Sequence, residues 1–358
     1  MTTNISTIDL FCGAGGLTHG FEQAGLKVQA GYDIDPACKF PYEYNNKARF
    51  FLQNIETINA SELIECFADS QIKILAGCAP CQPFSTYSRR YKDKTEQGKW
   101  TLLQEFLRLI EECQPDIISM ENVLQLKQYP VFSEFITQLE QLKYFLGCYT
   151  VNCLDYGIPQ SRKRLVILGS KLGQINLIPA THTPNNYQTV RKAISDLEPL
   201  AAGQASTKDL LHRCSKLSPI NLRRIQASKP GGTWRDWPEN LIAKCHLKNT
   251  GKTYPAVYGR MEWDKPSPTI TTQCFGFGNG RFGHPEQDRA ISLREAALLQ
   301  TFPLEYQFVA PNQPVVFDLV GRLIGNAVPV KLDQVIAQSI LNHIEKYHSD
   351  DSILDESR

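Results

Sequence analysis

The hydrophobic pattern of the first 170 residues alternates between short continuous runs and runs with helical spacing. Continuous apolar runs predict buried strands at residues 7–11, 27–34, 49–55, 73–76, 116–123, 149–153 and 165–168. Between some of them, apolar residues three and four positions apart predict helices over 17–24, 100–113 and 131–142. Strands that alternate with helices are typical of an α/β fold with a largely parallel sheet.

This alternation ends near residue 181. Prolines, glycines and isolated aromatic residues are frequent from there to residue 285, and we interpret this stretch as a small mixed or mostly β domain. Beyond it, Ser292 and Glu295 form a capping box that predicts a helix to Gln300. Residues 323–329 predict a glycine-containing turn before a final amphipathic helix. We therefore expect a large domain of residues 1–184, completed by 320–347, a small domain of 185–319, and a disordered tail of 348–358.

Composition places the chain among soluble globular proteins. With 358 residues, 42% hydrophobic and 21% charged, it can bury the cores of two domains. No apolar run reaches the roughly 18 residues of a membrane helix, and the first residues do not resemble a secretory signal. The 11 cysteines are odd in number and scattered, which favours free thiols in a reducing cytosol over a disulfide framework.

Positive charge is concentrated in one part of the chain although the net charge is only +1. Residues 200–285 hold 13 Lys/Arg and 5 Asp/Glu, a local charge of 13 − 5 = +8. The polar loop 85–99 adds five basic residues against two acidic ones. Such an asymmetry indicates a polyanionic partner, although a solvated basic face with no partner has the same composition.

Candidate binding residues follow the first three predicted strands. The turn containing Gly13, Gly15 and Gly16 lies between a strand and a helix, an arrangement that receives nucleotide-like cofactors and also occurs as a purely structural turn. Asp33 ends the second strand and is placed to accept hydrogen bonds from ribose hydroxyls. Gln53 and Asn54 end the third strand, where either could meet an adenine edge.

Candidate chemistry follows the later strands. Cys81 lies between Pro80 and Pro83, which hold its thiol on a rigid corner after a buried strand. A small buried hydrophobe, a redox dithiol with Cys78, and half of a zinc site are the alternatives at this position. Glu121 ends another apolar strand, where a carboxylate is costly unless it is paired or functional.

Six motifs in order resemble those of the DNA cytosine-5 methyltransferases, the type often paired with restriction enzymes. They are Asp9-Leu-Phe-Cys-Gly-Ala-Gly-Gly16, Pro80-Cys81-Gln82, Glu121-Asn122-Val123, Gln160-Ser-Arg162-Lys-Arg164, Arg294-Glu295-Ala296 and Gly325-Asn326-Ala327-Val328. The resemblance covers residues 7–170 and 255–345. It implies a Rossmann-like methyltransferase sheet with helices on both faces and a smaller target-recognition domain.

The resemblance also implies which residues carry the reaction, in which a target cytosine is flipped out of duplex DNA and methylated at C5. Cys81 would add to C6 of the ring, and a thiolate suits this step because it is nucleophilic and can leave again. Glu121, as an acid, would bind N3 and the exocyclic amine. Arg164 would hold O2, and Arg162 would support it by charge or by contacting Glu121.

By the same resemblance, the cofactor is S-adenosyl-L-methionine. Two residues depart from the usual pattern, since Asn54 replaces an aspartate near the adenine amine and Ile34 occupies a position that is often aromatic. The residues expected to bind the cofactor are Asp9, Phe11, Gly13, Gly15, Gly16, Asp33, Ile34, Asn54, Ile55, Pro80, Leu103, Asn326 and Ala327.

Double-stranded DNA is the expected partner, with the basic loop 85–99 closing over the flipped base. Expected DNA contacts are Gln82, Ser85, Arg89, Arg90 and Arg260. An RNA cytosine-5 methyltransferase is the alternative, but about 100 extra residues between Arg164 and Arg294 favour DNA. A non-catalytic DNA-binding homologue and a thiol redox protein explain fewer of the motifs. We further expect a monomer, no membrane, and a possible cognate restriction endonuclease that acts on the same site.

Overall fold

A computed structural model describes residues 3–80 and 100–355, with side chains described as far as residue 347. The chain divides into two units. The first unit comprises Met1–Asn152, Lys163–Ala180 and Val330–Arg358, and the second comprises Cys153–Arg162 and Thr181–Pro329. The sequence predicted a large domain of residues 1–184 and 320–347. The structure instead assigns residues 153–162, 181–184 and 320–329 of that range to the second unit.

A seven-stranded sheet forms the centre of the first unit. Its strands are β1 (Ile5–Leu10), β2 (Val28–Asp33), β3 (Arg49–Leu52), β4 (Ile72–Gly77), β5 (Ile117–Asn122), β6 (Phe145–Asn152) and β7 (Lys163–Ser170). Their order is β3-β2-β1-β4-β5-β7-β6. The first five strands in that order are parallel, whereas β7 runs antiparallel to both β5 and β6. The predicted α/β class is confirmed.

Six helices belong to the same unit: α1 (Gly16–Ala24), α2 (Lys39–Asn45), α3 (Ala60–Phe67), α4 (Thr101–Cys113), α5 (Pro130–Gln141) and α10 (Val330–Asp355). Side chains alternate between the two faces along each strand, so apolar side chains project from both faces and helices cover both. Ile8 and Leu10 of β1 join the apolar cluster formed with α3, α4 and α5. Asp9 lies between them and points the other way, where its carboxylate accepts a hydrogen bond from Thr18 of α1.

Helix α10 packs closely on α1. A Cβ atom on Gly20 would lie 2.5 Å from the carbonyl oxygen of Val330 and 2.7 Å from Cβ of Asp333, so only glycine permits this approach. The backbone of α10 continues to Asp355, past residue 348 where the sequence predicts disorder. No helix among the described residues is long and apolar enough to cross a membrane.

Of the two alternatives expected for the second unit, mixed or mostly β, the structure excludes mostly β. The unit's regular elements are α6 (Val190–Ile194), α7 (Pro219–Gln226), α8 (Leu293–Leu299) and α9 (Phe317–Asn326), with short 3-10 turns between them. Pairing of extended segments is limited to isolated bridges such as Pro230 with Arg260. Frequent proline and glycine interrupt strand ladders, so side chains satisfy many backbone groups here. Leu323–Asn326, expected in a turn, form the end of α9.

One buried and one half-buried ion pair connect segments of the second unit around α8. The predicted capping box is confirmed, with Ser292 accepting from the backbone N–H of Glu295. Arg289 lies 2.7 Å from Glu295, and Arg294 lies 2.6 Å from Asp209. Burial raises the pKa of Glu295, but the hydrogen bonds and charge of Arg289, the charge of His284 and the N–H of Ser292 together hold that pKa below its ordinary value. The Arg294-Glu295 motif therefore stabilises the fold of this unit.

Candidate active site

The strand order places the candidate residues of the first unit along one edge of the sheet. The strand order reverses between β1 and β4, because β2 and β3 follow β1 on one side and β4 and β5 follow on the other. In open α/β folds, ligands bind beyond the carboxyl ends of the strands at such a point. Phe11, Asp33 and Asn122 end or follow parallel strands there. Because β7 is antiparallel to β5, the start of β7 at Arg164 lies at this same edge.

The turn after β1 adopts left-handed backbone conformations that favour glycine. Gly13 has φ +53° and Gly15 has φ +89°. Phe11, with φ +60°, adopts the same region although it carries a side chain, and such strain is characteristic of functional sites. Gly15 caps α1, and Gly16 is its first residue. The predicted glycine turn is therefore present, with a bent backbone preceding a helix N-terminus.

Asp33 connects this turn to the next strand. One carboxylate oxygen accepts the backbone N–H of Gly13 at 2.9 Å, and the other accepts that of Asp35 at 2.9 Å. Burial raises the pKa of Asp33, although these two hydrogen bonds act in the opposite direction. Asp35 itself caps the following 3-10 turn, as its position before Pro36 predicts.

Asp9 is buried next to α1, the helix that follows the glycine turn. It is 1% exposed, and its carboxylate accepts from Thr18, whose hydroxyl also bonds Tyr42. Burial and the neighbouring charge of Asp33 raise the pKa of Asp9 to about 7. Asp9 was expected to bind the cofactor; its carboxylate bonds Thr18 of α1 and does not line the cavity described below, so its cofactor contact remains a prediction.

A cavity of about 320 Å³ opens beside these residues in the first unit. Described residues that line it are Phe11, Asp33, Ile34, Gln53, Asn54, Ile55, Glu56, Pro80, Thr101 and Leu102. Six of the residues expected to bind a cofactor are among them. Leu103 is not, because it faces inward and joins the apolar cluster while Leu102 lines the cavity. Ile34 is 67% exposed, an unusual state for an apolar residue beside a cavity.

Asn54 caps a 3-10 turn formed by Ile55–Thr57. Its side-chain oxygen accepts the backbone N–H of Glu56 at 3.2 Å, and its amide nitrogen donates to the Glu56 carboxylate at 3.0 Å. The side-chain oxygen of Asn54 therefore already accepts a hydrogen bond from its own turn. The exposed carboxylate of Glu56 also lines the cavity, two residues further along the chain. Sequence reasoning missed Glu56, Thr101 and Leu102. An Asn-x-Glu pattern after a strand was the available signal for Glu56.

Glu121 is buried at the end of β5 and held by two groups from neighbouring strands. It is 3% exposed. The Cys78 thiol donates to Oε2 at 2.9 Å, and Nε of Arg164 lies 2.7 Å from Oε1. Among the described residues no group donates a well-aligned hydrogen bond to Oε1. The ion pair with Arg164 therefore leaves Oε1 with hydrogen-bonding capacity in a dry environment.

Arg162 belongs to the second unit and has a different partner. Its guanidinium donates to the carbonyl oxygen of Ala327 at 3.3 Å. Gln300 donates to the same carbonyl at 3.1 Å and also bonds Gln160. These residues hold the end of α9, where Asn326 is exposed and Ala327 follows it. The structure thus brings Arg162 and Ala327 together, while Glu121 pairs with Arg164.

Close backbone packing fixes the same end of α9. A Cβ atom on Gly325 would lie 2.3 Å from the backbone of Thr271 and Thr272, so the glycine of this motif is required by space.

Arg260 is buried, contrary to its expected contact with DNA. It is 4% exposed, and its guanidinium donates to the carbonyl oxygens of Ile225, Ser228, His284 and Gln287 and to Asp288. These bonds occupy its five N–H groups. The side chain therefore holds together segments of the second unit, and no donor is left for DNA.

Several residues predicted to act in catalysis or DNA binding lie outside the described ranges: Cys81, Gln82, Ser85, Arg89 and Arg90, with the rest of the basic loop 85–99. Their assignments remain sequence predictions. The ten cysteines within residues 3–80 and 100–355 are free of disulfide bonds. In the same ranges no three His, Cys, Asp or Glu residues are grouped so that they could hold a metal ion.

Comparison with known proteins matches this architecture to one family. A family model described as C-5 cytosine-specific DNA methylase matches residues 5–342. The Type II methylase M.HgiDII of Herpetosiphon aurantiacus is 57% identical over 346 residues, which cover 96% of this chain and 97% of the relative. The Type II methyltransferase M1.HphI of Haemophilus parahaemolyticus is 32% identical, covering 94% of this chain and 87% of that one.

Solved structures agree with the fold. The crystal structure of a candidate DNA modification methyltransferase encoded within an E. coli prophage superimposes with a TM-score of 0.72 at 21% identity, covering 95% of this chain and 99% of the other. A Spodoptera frugiperda DNMT2 mutant gives a TM-score of 0.63 at 16% identity, with coverage of 94% and 99%. At these identities the likeness concerns the fold.

Proposed function

The chain belongs to the C-5 cytosine-specific DNA methylases, and from that premise we propose how its own residues transfer a methyl group to cytosine C5. Cytosine C5 is a poor nucleophile, so the enzyme must raise its electron density before it can be methylated. One observation carries the proposal. Glu121 and Arg164 meet at the sheet edge that also carries the cavity of the first unit.

Cys81 is the proposed nucleophile. Its thiolate forms a bond to C6 while the electrons of the C5–C6 double bond move onto C5. After C5 has gained its methyl group, a base takes the C5 proton, the double bond re-forms and the S–C6 bond breaks. Cys81 directly follows Pro80, which lines the cavity, and this position supports the assignment.

Glu121 is the proposed acid at the far edge of the ring. It gives a proton to N3, which draws electrons from C6 as the thiolate adds, and it accepts from the exocyclic amine. The dry environment and the open capacity of Oε1 suit this role. Arg164, paired with Glu121, is proposed to bind O2 of the base, and Arg162 acts from the second unit by holding the Ala327 turn.

The cavity fits S-adenosyl-L-methionine. This cofactor supplies an electrophilic methyl group on a sulfonium ion. Asp33 offers acceptors for ribose hydroxyls, the glycines of the Gly13–Gly16 turn allow a ligand to approach the backbone closely, and Ile34 covers an apolar ring. Glu56 is proposed to accept from the adenine amine, a task that the capped Asn54 performs less well.

Duplex DNA is the proposed substrate, and the basic second unit is the proposed reader of its sequence. Extruding a base costs a few kcal/mol, which phosphate contacts offset without reading sequence. The 57% identical Type II methylase favours DNA over the RNA alternative and supports a place in a restriction-modification system. A cognate endonuclease that cuts the same site, action as a monomer and a cytoplasmic location remain parts of this proposal.

Bisulfite sequencing tests the function. The protein is expressed in a bacterial host that lacks cytosine methylation, with Glu121→Gln as the isosteric variant that cannot give a proton. We expect one cytosine of a short sequence to resist conversion throughout the genome with the wild type, and at least about a 100-fold slower gain of methylation with the variant. Genomic DNA without any protected sequence would contradict DNA methylation, and protection confined to tRNA would favour the RNA alternative.

A further inference from the structure

Cys78 is the group that holds one oxygen of Glu121. Its thiol donates to Oε2 at 2.9 Å, while Arg164 lies against Oε1 on the other side. Cys78 is half-buried and free of disulfide bonds. A thiol that donates a hydrogen bond carries its proton, so Cys78 acts here as a donor and not as a nucleophile.

The sheet register explains why these three side chains meet. Gly77 of β4 pairs with Met120 of β5, so the next residues, Cys78 and Glu121, lie side by side. Glu121 also pairs with Val166 of β7. Arg164 is two residues before Val166, so both side chains lie on the same face of the sheet as Glu121. The apolar cluster occupies the opposite face through Met120 and Leu165.

The backbone at Cys78 is fixed as well. Its N–H donates to the carbonyl oxygen of Leu10 at 3.3 Å, which ties the residue to β1. The neighbouring Asn122 donates to the carbonyl oxygen of Ala79 at 3.4 Å, which ties the end of β5 to the segment after Cys78. The thiol is thus presented to Glu121 from a backbone that is held by both neighbouring strands.

We propose that Cys78 is a positioning residue for methyl transfer, whose thiol fixes the Glu121 carboxyl so that Oε1 faces the target base. The proposal rests on the proposed role of Glu121. A carboxyl group can rotate about its last side-chain bond, because that torsion has broad minima. Arg164 alone holds one oxygen, whereas Cys78 and Arg164 together hold both and set the plane of the group.

Steady-state kinetics tests the proposal. The substrates are radiolabelled S-adenosylmethionine and unmethylated duplex DNA that contains the sequence recognised by the enzyme. Cys78→Ala removes the donor, and Cys78→Ser restores a hydroxyl donor. We expect Cys78→Ala to lower kcat about 3- to 10-fold, as for one lost hydrogen bond, with the KM for the cofactor changed less than about 2-fold. Cys78→Ser should regain at least about half of that loss on a logarithmic scale.

Cys113→Ala is the matched control. Its buried thiol donates to the carbonyl oxygen of Ala60 in the same unit, away from Glu121, and its removal should leave kcat within about 2-fold. Should Cys78→Ala fold poorly by thermal melting, Cys78→Val provides a residue of similar size without a donor, with the same expected loss.

Two results would overturn the proposal and are distinguishable. If folded Cys78→Ala or Cys78→Val keeps the wild-type kcat while Glu121→Gln is inactive, Cys78 does not position the acid. If Glu121→Gln itself keeps the wild-type rate, the role of Glu121 is wrong and the positioning role fails with it.

Discussion

Two carboxylates at strand ends on the same edge of the sheet have opposite surroundings. Asp33 accepts two backbone N–H groups yet remains open to the cavity, whereas Glu121 is 3% exposed and its described partners are side chains. The sequence predicted both positions because a polar residue after an apolar strand is conspicuous. It could not predict the partners of Glu121, since Cys78 and Arg164 meet it through strand pairing across 43 residues in each direction.

Glu56 provides a test of the cofactor site at the level of one residue. Glu56→Gln keeps the size of the side chain and removes its charge, so a charge-assisted hydrogen bond to the adenine amine becomes a neutral one. We expect the Kd for S-adenosylhomocysteine to rise about 3- to 10-fold, corresponding to roughly 1 kcal/mol. Isothermal titration calorimetry measures the change.

Glu140→Gln is the control, because Glu140 is exposed on α5 and does not line the cavity. An unchanged Kd for Glu56→Gln would remove this carboxylate from the cofactor site and return the adenine contact to Asn54.

Helices and strands of the first unit were largely predictable because each has a local signal. The apolar runs identified all seven strands, although β6 begins earlier than predicted since its first residues alternate with polar ones. Helix α9 was missed because Gly321 and Gly325 are typical of a turn, whereas here they permit close packing on Phe275 and Thr271. The second unit has few elements whose period could be recognised.

Gly20 tests the packing of α1 against α10. Gly20→Ala would ordinarily favour a helix, but its methyl group would collide with the backbone of Val330 and with Asp333. We expect the free energy of unfolding to fall by about 1–3 kcal/mol in urea denaturation. Glu65→Ala, exposed on α3 and away from this contact, should stay within about 0.5 kcal/mol. A Gly20→Ala protein as stable as the wild type would show that α10 does not approach α1 this closely.

At the scale of the whole molecule, charge is divided unevenly between parts of the chain. The local +8 of residues 200–285 was visible in the sequence, but which of its arginines are available was not. Arg224, for example, donates to the carbonyl oxygen of Leu241 and lies over the rings of Trp237 and Tyr258. Like Arg260, it stabilises the second unit. Arg223 and Lys229, by contrast, are exposed.

This division predicts different effects for adjacent residues. Arg223→Ala combined with Lys229→Ala should weaken DNA binding and reduce the slope of log K against log salt concentration by about 1–2, since each phosphate contact adds about 0.9. Arg224→Ala should instead lower the melting temperature, because it removes packing and hydrogen bonds. Fluorescence anisotropy at several salt concentrations measures the slope. An unchanged slope for the double variant would exclude this patch from the interface.

The most direct test of the account is the covalent bond between Cys81 and the pyrimidine ring. Unmethylated duplex DNA that contains the recognised sequence, with 5-fluorocytosine at the target position, is incubated with enzyme and S-adenosylmethionine. Once C5 has gained its methyl group, the fluorine on it cannot be removed as a proton, so the adduct cannot break down. The account predicts a protein–DNA species with the mass of enzyme plus DNA plus one methyl group in place of the thiol proton, mapped to Cys81 by peptide mass spectrometry and absent for Cys81→Ser. DNA that binds tightly and is methylated when unmodified, yet never forms this adduct, would contradict it.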